Sequence, residues 1–368
     1  MNASTLLNPP PALTDLMRSK PREVPVTTAL LAINISVFLV MLAFGAGLWH
    51  SANGVQLAWG ANFGPATQDG QWWRLFTALF IHFGVVHLAF NMFALWDIGR
   101  LVERLFGRTR FLLLYLGSGV IGNVLSLVVQ GNQAVSGGAS GSIFSLYGAL
   151  LVFLWRERKQ VDASEFRWLF GGSLVFTAVM LGMGFVVPGI DNSAHGGGLV
   201  AGMLLGQVLL QPWTAGSAPR PVSRTLAGVL TVGALAVLVT HIPEPKYLLG
   251  DELRARAAIE QFVNADHAIR QRYASLLGSG MRGGASFDEV AGSIDANVAA
   301  AYERSFEQLL AASAAANVPS AQTLQQMQAY ATEQAQAARN VAQGFRSKDP
   351  AQIRSALNKH VKSGDKKP

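Results

Sequence analysis

The sequence predicts an all-α fold: a polytopic bundle of membrane-spanning helices followed by a C-terminal helical extramembrane domain. Three observations predict it. Half of the 368 residues are hydrophobic and only 14% are charged, against about 25% charged in an ordinary soluble domain, and the mean hydropathy is +0.29. Several windows reach the ~20 apolar residues needed to cross a bilayer core of ~30 Å. Beyond Ile242 the composition turns to Ala, Gln and mixed charge, with apolar residues at helical spacing.

Taken in order, residues 1–25 form a leader rich in proline (Pro9, Pro10, Pro11, Pro21, Pro25), which is predicted to be cytoplasmic. Seven spans follow: Val26 to Trp49, Leu75 to Ile98, Phe111 to Gln130, Ser140 to Trp155, Trp168 to Val187, Asn192 to Leu210 and Thr225 to Thr240. The first six make a core over 26–211; 212–241 is a loop and the seventh span. No small-residue cleavage site soon follows the first window, so it reads as a retained anchor rather than a signal peptide. Cations set the orientation. Arg18, Lys20 and Arg22 lie in the leader, Arg100, Arg104, Arg108 and Arg110 after span two, Arg156, Arg158, Lys159 and Arg167 after span four, and Arg220 and Arg224 after span six. These segments face the cytoplasm by the positive-inside rule. The expected location is a bacterial inner membrane, with the C-terminal domain outside if all seven spans cross.

Residues 242–368 carry apolar faces at Ile259, Phe262, Val263, Tyr273 and Leu276, at Phe287, Val290, Ile294, Val298, Phe306 and Leu309, and at Leu324, Met327, Val341 and Phe345. Ser286 with Glu289 predicts a capping box, Gly278, Gly280, Gly283 and Gly284 a break between helices, and Pro243 and Pro245 a linker. Such a module suits partner binding or substrate recruitment, and equally a passive appendage.

Composition also excludes. The net charge of +7 suggests nucleic acid until it is located: the chain to His241 holds 14 Lys and Arg against 9 Asp and Glu, the remainder 15 against 13. The basic excess therefore sits mostly in the apolar part, where short loops carry it, and no nucleic-acid partner is expected. The absence of Cys excludes disulfides, thiol catalysis and Cys-ligated metals. No H-E-x-x-H occurs, no Gly-Lys-[Ser/Thr] follows the glycine-rich segment at Gly137, and Ser142 breaks the G-x-S-x-G pattern. No cofactor or metal is expected.

Polar side chains in hydrocarbon are functional candidates, and three clusters lie near the predicted outer ends of spans: His82, His87 and Asn91; Ser140; and Asp191, Asn192 and His195. Ser140 and His195 fall in the first turns of two spans that enter from the same side. After His195, Gly198, Gly202 and Gly206 form a small-residue stripe on one helix face, and span four offers Gly141, Ser145 and Gly148. Close packing of these spans brings the Ser140 hydroxyl within reach of the His195 imidazole, which makes a weak nucleophile competent. Backbone N–H groups around Gly138, with His87 and Asn91 on one face of span two, supply donors for an oxyanion. Asp191, four residues before His195, reads as a helix cap rather than an orienting acid. His82 reads as structural or loop-positioning, since one imidazole suffices as base for one serine.

These residues resemble the rhomboid intramembrane serine proteases over roughly 26–211. The resemblance rests on the pair Trp73–Arg74, the H-x4-H-x3-N spacing at His82, His87 and Asn91, the G-x-S-G at Gly138–Gly141, and Ala194–His195 followed by Gly198 and Gly202. It implies a Ser140–His195 dyad without a third acid, an oxyanion site from His87, Asn91 and N–H groups near Ser140, and cleavage of transmembrane proteins close to the outer surface. It implies too that Trp73 and Arg74 anchor a half-embedded connection, and that Phe144 supports the histidine ring. Depth depends on where span two begins: a helix running from Trp73 would bury His87 about 21 Å down, whereas one starting near Gly84 leaves it about one turn in. Two other readings remain: a non-catalytic protein of the same fold that binds membrane helices, and a transporter. The latter is disfavoured by the gathering of polar groups at one level and by the absence of an inverted repeat.

Overall fold

The computed structural model describes residues 12–131, 133–213, 221–282, 284–312 and 317–364. Pro9, Pro10, Pro11, Arg220 and Gly283, named above, lie outside the described residues. Two compact units are present, Met1–Pro245 and Lys246–Pro368.

The first unit is a polytopic helical bundle. A short helix, α1 (Leu13–Met17), precedes α2 (Pro25–Ala43). Pro25 is suited to the first turn because its missing N–H would have had no helical acceptor; the neighbouring N–H groups of Val26 and Thr27, and the Thr27 hydroxyl, donate to buried Glu103. A connection with three short helices, α3 (Asn53–Trp59), α4 (Gly64–Thr67) and α5 (Arg74–Thr77), leads to α6 (Val85–Phe106). Then come α7 (Arg108–Gln130), α8 (Ser140–Glu157), α9 (Ala163–Val186), α10 (Asn192–Leu209) and α11 (Pro221–Thr240).

Five of these, α2, α6, α7, α9 and α11, are long and apolar enough to cross a membrane. The helices α8 and α10 have 18 residues each and include Ser, Gly, His and Asn. Their polarity reflects position: α8 is buried along nearly its whole length, and α10 packs between α7 and α8. By contrast α9 buries Leu169, Ser173 and Thr177, and α11 only Ala227, leaving broad apolar faces of the kind lipid covers.

Two predicted windows are corrected. The span expected from Leu75 is not continuous: α5 and a 3-10 turn at Ala78–Phe80 end at extended Ile81, and α6 starts after Gly84. Ala78, Leu79 and Ile81 are buried within the connection, so their apolar character reflects burial there rather than a crossing. The first span stops at Ala43, and Leu48 and Trp49 belong to the connection, where the Val85 N–H donates to the Leu48 carbonyl.

The second unit contains α12 (Leu249–Arg282), α13 (Phe287–Ile294), a π-helical turn at Asp295–Ala299, α14 (Ala300–Ala312), α15 (Ala321–Ser347) and α16 (Pro350–Gly364). The capping box of Ser286 and Glu289 opens α13. Gly278 and Gly280 lie inside α12, and the predicted break falls after Arg282, where Gly284 has a φ of +69°. Phe262, Ile269, Val290, Ile294, Tyr302, Leu324 and Val341 share one apolar core. Within it Asp266 accepts from the Tyr302 and Tyr330 hydroxyls and pairs with Arg270. Burial first, and the Asp266 carboxylate second, push the Tyr302 hydroxyl well above its ordinary pKa, so it remains a donor.

A Cβ on Gly198 would fall 2.0 Å from the Gly141 carbonyl oxygen, whereas one on Gly182 meets nothing within 4 Å. Gly198→Ala should therefore destabilise the bundle by about 1–3 kcal/mol, the usual cost of overpacking, with Gly182→Ala close to neutral. Equal loss of thermal stability in detergent micelles for the two variants would contradict the helix contact described here.

Candidate active site

The site begins with two helix starts. Ser140 is the first residue of α8, and His195 stands in the first turn of α10. The helices touch backbone to backbone: a Cβ on Gly202 would meet the Ser145 carbonyl oxygen at 2.1 Å, one on Gly148 the Leu199 carbonyl oxygen at 2.3 Å, and one on Gly141 the Ala194 carbonyl oxygen at 3.2 Å. At that separation the two short side chains meet, with Ser140 Oγ 2.7 Å from His195 Nε2.

Phe144, one turn after Ser140, stacks on the imidazole with ring centroids 4.5 Å apart and planes inclined by 13°. Nδ1 of His195 is buried with no hydrogen-bond partner among the described residues. Asp191 does not reach that nitrogen. Its Oδ1 instead accepts from the Ser193 and Ala194 N–H groups, capping α10.

The predicted anion-binding residues are disposed unequally. The Gly138 N–H donates to the Ala78 carbonyl, so this group is already occupied. What Gly138 supplies is space and conformation: its φ is +137°, and a Cβ there would lie 2.9 and 3.0 Å from Cε1 and Nε2 of His87. The Cε1–Nε2 edge of the His87 imidazole thus lies against the segment leading to Ser140. Its Nδ1 accepts from the Phe83 N–H at 3.4 Å, which places the proton of a neutral ring on Nε2, the nitrogen nearest Gly138. Asn91 donates one amide hydrogen to the His87 carbonyl, a turn earlier, at 2.9 Å; the second remains. The N-terminus of α8 adds the partial positive charge of its first-turn N–H groups.

His82 is fully buried, with Nδ1 3.3 Å from the Phe80 carbonyl and its ring 5.1 Å from that of His87. It backs His87 and does not approach Ser140 through any described hydrogen bond. Trp73 and Arg74 lie in the connection, not in a long helix. Nη1 of Arg74 donates to the carbonyls of Leu57 and Ala61, Nε donates to Gln71, and the guanidinium lies 4.7 Å from the Trp73 ring centroid.

Residues not singled out in the sequence hold the loop before Ser140. Asn62 and Ser136 form an isolated antiparallel bridge, each N–H donating to the other's carbonyl at 2.8 Å. The amide of Asn62 donates to the Asn123 carbonyl and that of Asn123 to the Leu75 carbonyl. Isolated Asn and Ser residues give no periodic signal; only the paired backbone reveals them.

A family model described as the rhomboid domain matches residues 69–212. Among curated proteins, the chain is 40% identical over 179 residues to Rhomboid protease GluP of Bacillus subtilis (strain 168), covering 49% of this chain and 34% of that one. It is 35% identical over 192 residues to the rhomboid-family protein YdcA of the same organism, covering 52% and 91%. It is 41% identical over 162 residues to RHOMBOID-like protein 4 of Arabidopsis thaliana, covering 42% and 39%. The chain thus spans about a third of GluP and about nine-tenths of YdcA.

The bonds from Arg74 to two carbonyls predict a local effect. Arg74→Ala should speed amide exchange across residues 57–62, on the scale of about 1.5–3 kcal/mol for a hydrogen bond to a charged group. Arg74→Lys should restore little of the protection, since an ammonium lacks the planar group that Gln71 and Trp73 hold in place at the two carbonyls. Unchanged exchange in both variants would show that the arginine does not anchor the connection.

Proposed function

The chain belongs to the rhomboid family, and from that premise we propose that it is an intramembrane serine endopeptidase using Ser140 as nucleophile and His195 as base. The observation that carries this reading is the 2.7 Å approach of Ser140 Oγ to His195 Nε2, at the starts of two helices held together by glycine contacts. The stacking of Phe144 and the lack of an acid on His195 Nδ1 support a dyad without a third member.

The substrate is a transmembrane protein. A peptide bond in an intact helix is hydrogen-bonded and shielded, so the substrate must unwind locally near the membrane boundary; helix-weakening residues there favour cleavage. As Ser140 Oγ bonds to the carbonyl carbon, its proton passes to His195. The oxyanion is met by the α8 N-terminus, by His87 Nε2–H and by the free amide hydrogen of Asn91. Collapse breaks the C–N bond, and His195 returns the proton to the leaving amine. Water then attacks the acyl-enzyme, giving one proton to His195, which passes it to the departing Ser140 oxygen; the carboxylic acid so formed ionises to solvent. His87 and Asn91 lie on the side from which that water would arrive.

The cation pattern supports a cytoplasmic N-terminus and cleavage near the outer face of a bacterial inner membrane. The C-terminal unit, outside if all seven spans cross, serves as a site for a protein partner.

In proteoliposomes holding a single-span peptide, Ser140→Ala and His195→Ala should each abolish cleavage. Asn91→Ala should lower the rate on the order of 10- to 1000-fold, the range for losing one oxyanion donor where others remain. Cleavage persisting in Ser140→Ala would overturn the assignment.

A further inference from the structure

Asp191 does more than cap α10. While Oδ1 accepts from the N–H groups of Ser193 and Ala194 at 3.1 and 3.0 Å, Oδ2 accepts from two serine hydroxyls, Ser126 at 2.5 Å and Ser136 at 2.6 Å. Ser126 belongs to α7 and Ser136 to the segment four residues before Ser140, and both are buried. A single carboxylate therefore joins the helix bearing His195, its neighbour α7 and the strand-like lead into α8. Ser136 is held from its other side by the reciprocal backbone bridge to Asn62, so its hydroxyl has little freedom to follow Asp191 if the helices shift.

These bonds close a ring. From Ser140 the chain runs back through Ala139, Gly138 and Gly137 to Ser136, crosses by hydrogen bond to Asp191, and runs forward to His195, which meets Ser140 again at 2.7 Å. Three residues lie between Ser136 and Ser140, and two of them are glycine, the least constrained of residues. Without the clasp, the Gly138 N–H bond to the Ala78 carbonyl and the helix packing alone would hold this stretch against α10. Charge-assisted hydrogen bonds are about twice as strong as neutral ones, and here one carboxylate receives four.

We infer that Asp191 is a positioning residue that, in addition to the glycine contacts between α8 and α10, holds the Ser140–His195 separation by clasping Ser136 and Ser126 to the start of α10, acting through the backbone and not on the imidazole. This inference rests on the dyad reading given above for its consequence in catalysis, but the clasp itself is a property of the folded chain.

The test uses the full chain in detergent micelles, labelled with 15N-histidine. The His195 Nε2 resonance is identified by its loss in His195→Ala, and its unbonded position is given by Ser140→Ala. The second readout is the rate at which a fluorophosphonate probe labels Ser140. Asp191→Ala removes the cap together with the clasp, so the decisive variant is Ser126→Ala/Ser136→Ala, which leaves the cap intact; the two single replacements supply the same test with smaller effects. The clasp predicts that the double variant moves the His195 resonance toward its Ser140→Ala position and slows labelling by roughly tenfold or more, the scale of one lost charge-assisted hydrogen bond. Adding Asp191→Asn to the double variant should change little further, because the partners of Oδ2 are already gone. A resonance that stays at its wild-type position in the double variant overturns the clasp, whatever labelling does. If the resonance moves as expected but the wild-type chain is never labelled, the clasp stands and the protease reading fails.

Discussion

The distance between two helix backbones governs the rest of the bundle. Where α10 presents Gly198, Gly202 and Gly206, α8 answers with Gly141, Ser145 and Ala149, leaving no room for a side chain between the main chains. Lipid tails are as apolar as leucine, so burying apolar surface does little to drive such helices together; close dispersion contact between small residues does more. The same contact lets a hydroxyl and an imidazole, both on short tethers, come within hydrogen-bond reach. Larger residues along either stripe would push the helices apart by more than those side chains could span.

The connection between α2 and α6 obeys a second constraint. Buried irregular backbone is tolerated only when its polar groups find partners. Side chains supply them: Arg74 serves the carbonyls of Leu57 and Ala61, Gln56 that of His82, Thr77 that of Gly60 and Asn123 that of Leu75. Several polar residues that would invite a functional reading in an apolar chain are thus committed to holding this segment. Trp73 and Arg74 belong with them.

The polytopic helical character was legible because composition and window length depend on the bilayer, not on tertiary detail. The proximity of Ser140 and His195 was legible for a similar reason: glycine spacing after a histidine encodes a close neighbour on one helix face. The start of α6 was not legible in hydropathy, since Leu75 to Leu79 is as apolar as a span while belonging to the connection; only the resemblance pointed to a start near Gly84, where the structure has it. The glycines at 278 and 280 misled in the opposite direction, being carried inside α12, whose neighbouring turns continue past them. Gly138 was read for its N–H, but that group is taken by Ala78. Asp191 was legible as a cap from its position before Asn192, whereas its second oxygen meets residues 55 and 65 positions away in sequence, a link no local pattern records.

Phe144 and Ser140 ride on the same rigid rod, one turn apart, and the imidazole of His195 is gripped by both, stacked on one and bonded to the other. Any slide of one rod past the other must therefore peel away the ring and stretch the bond in a single movement. Stacking and hydrogen bond are thus mechanically joined, and a shift of either helix is felt by both.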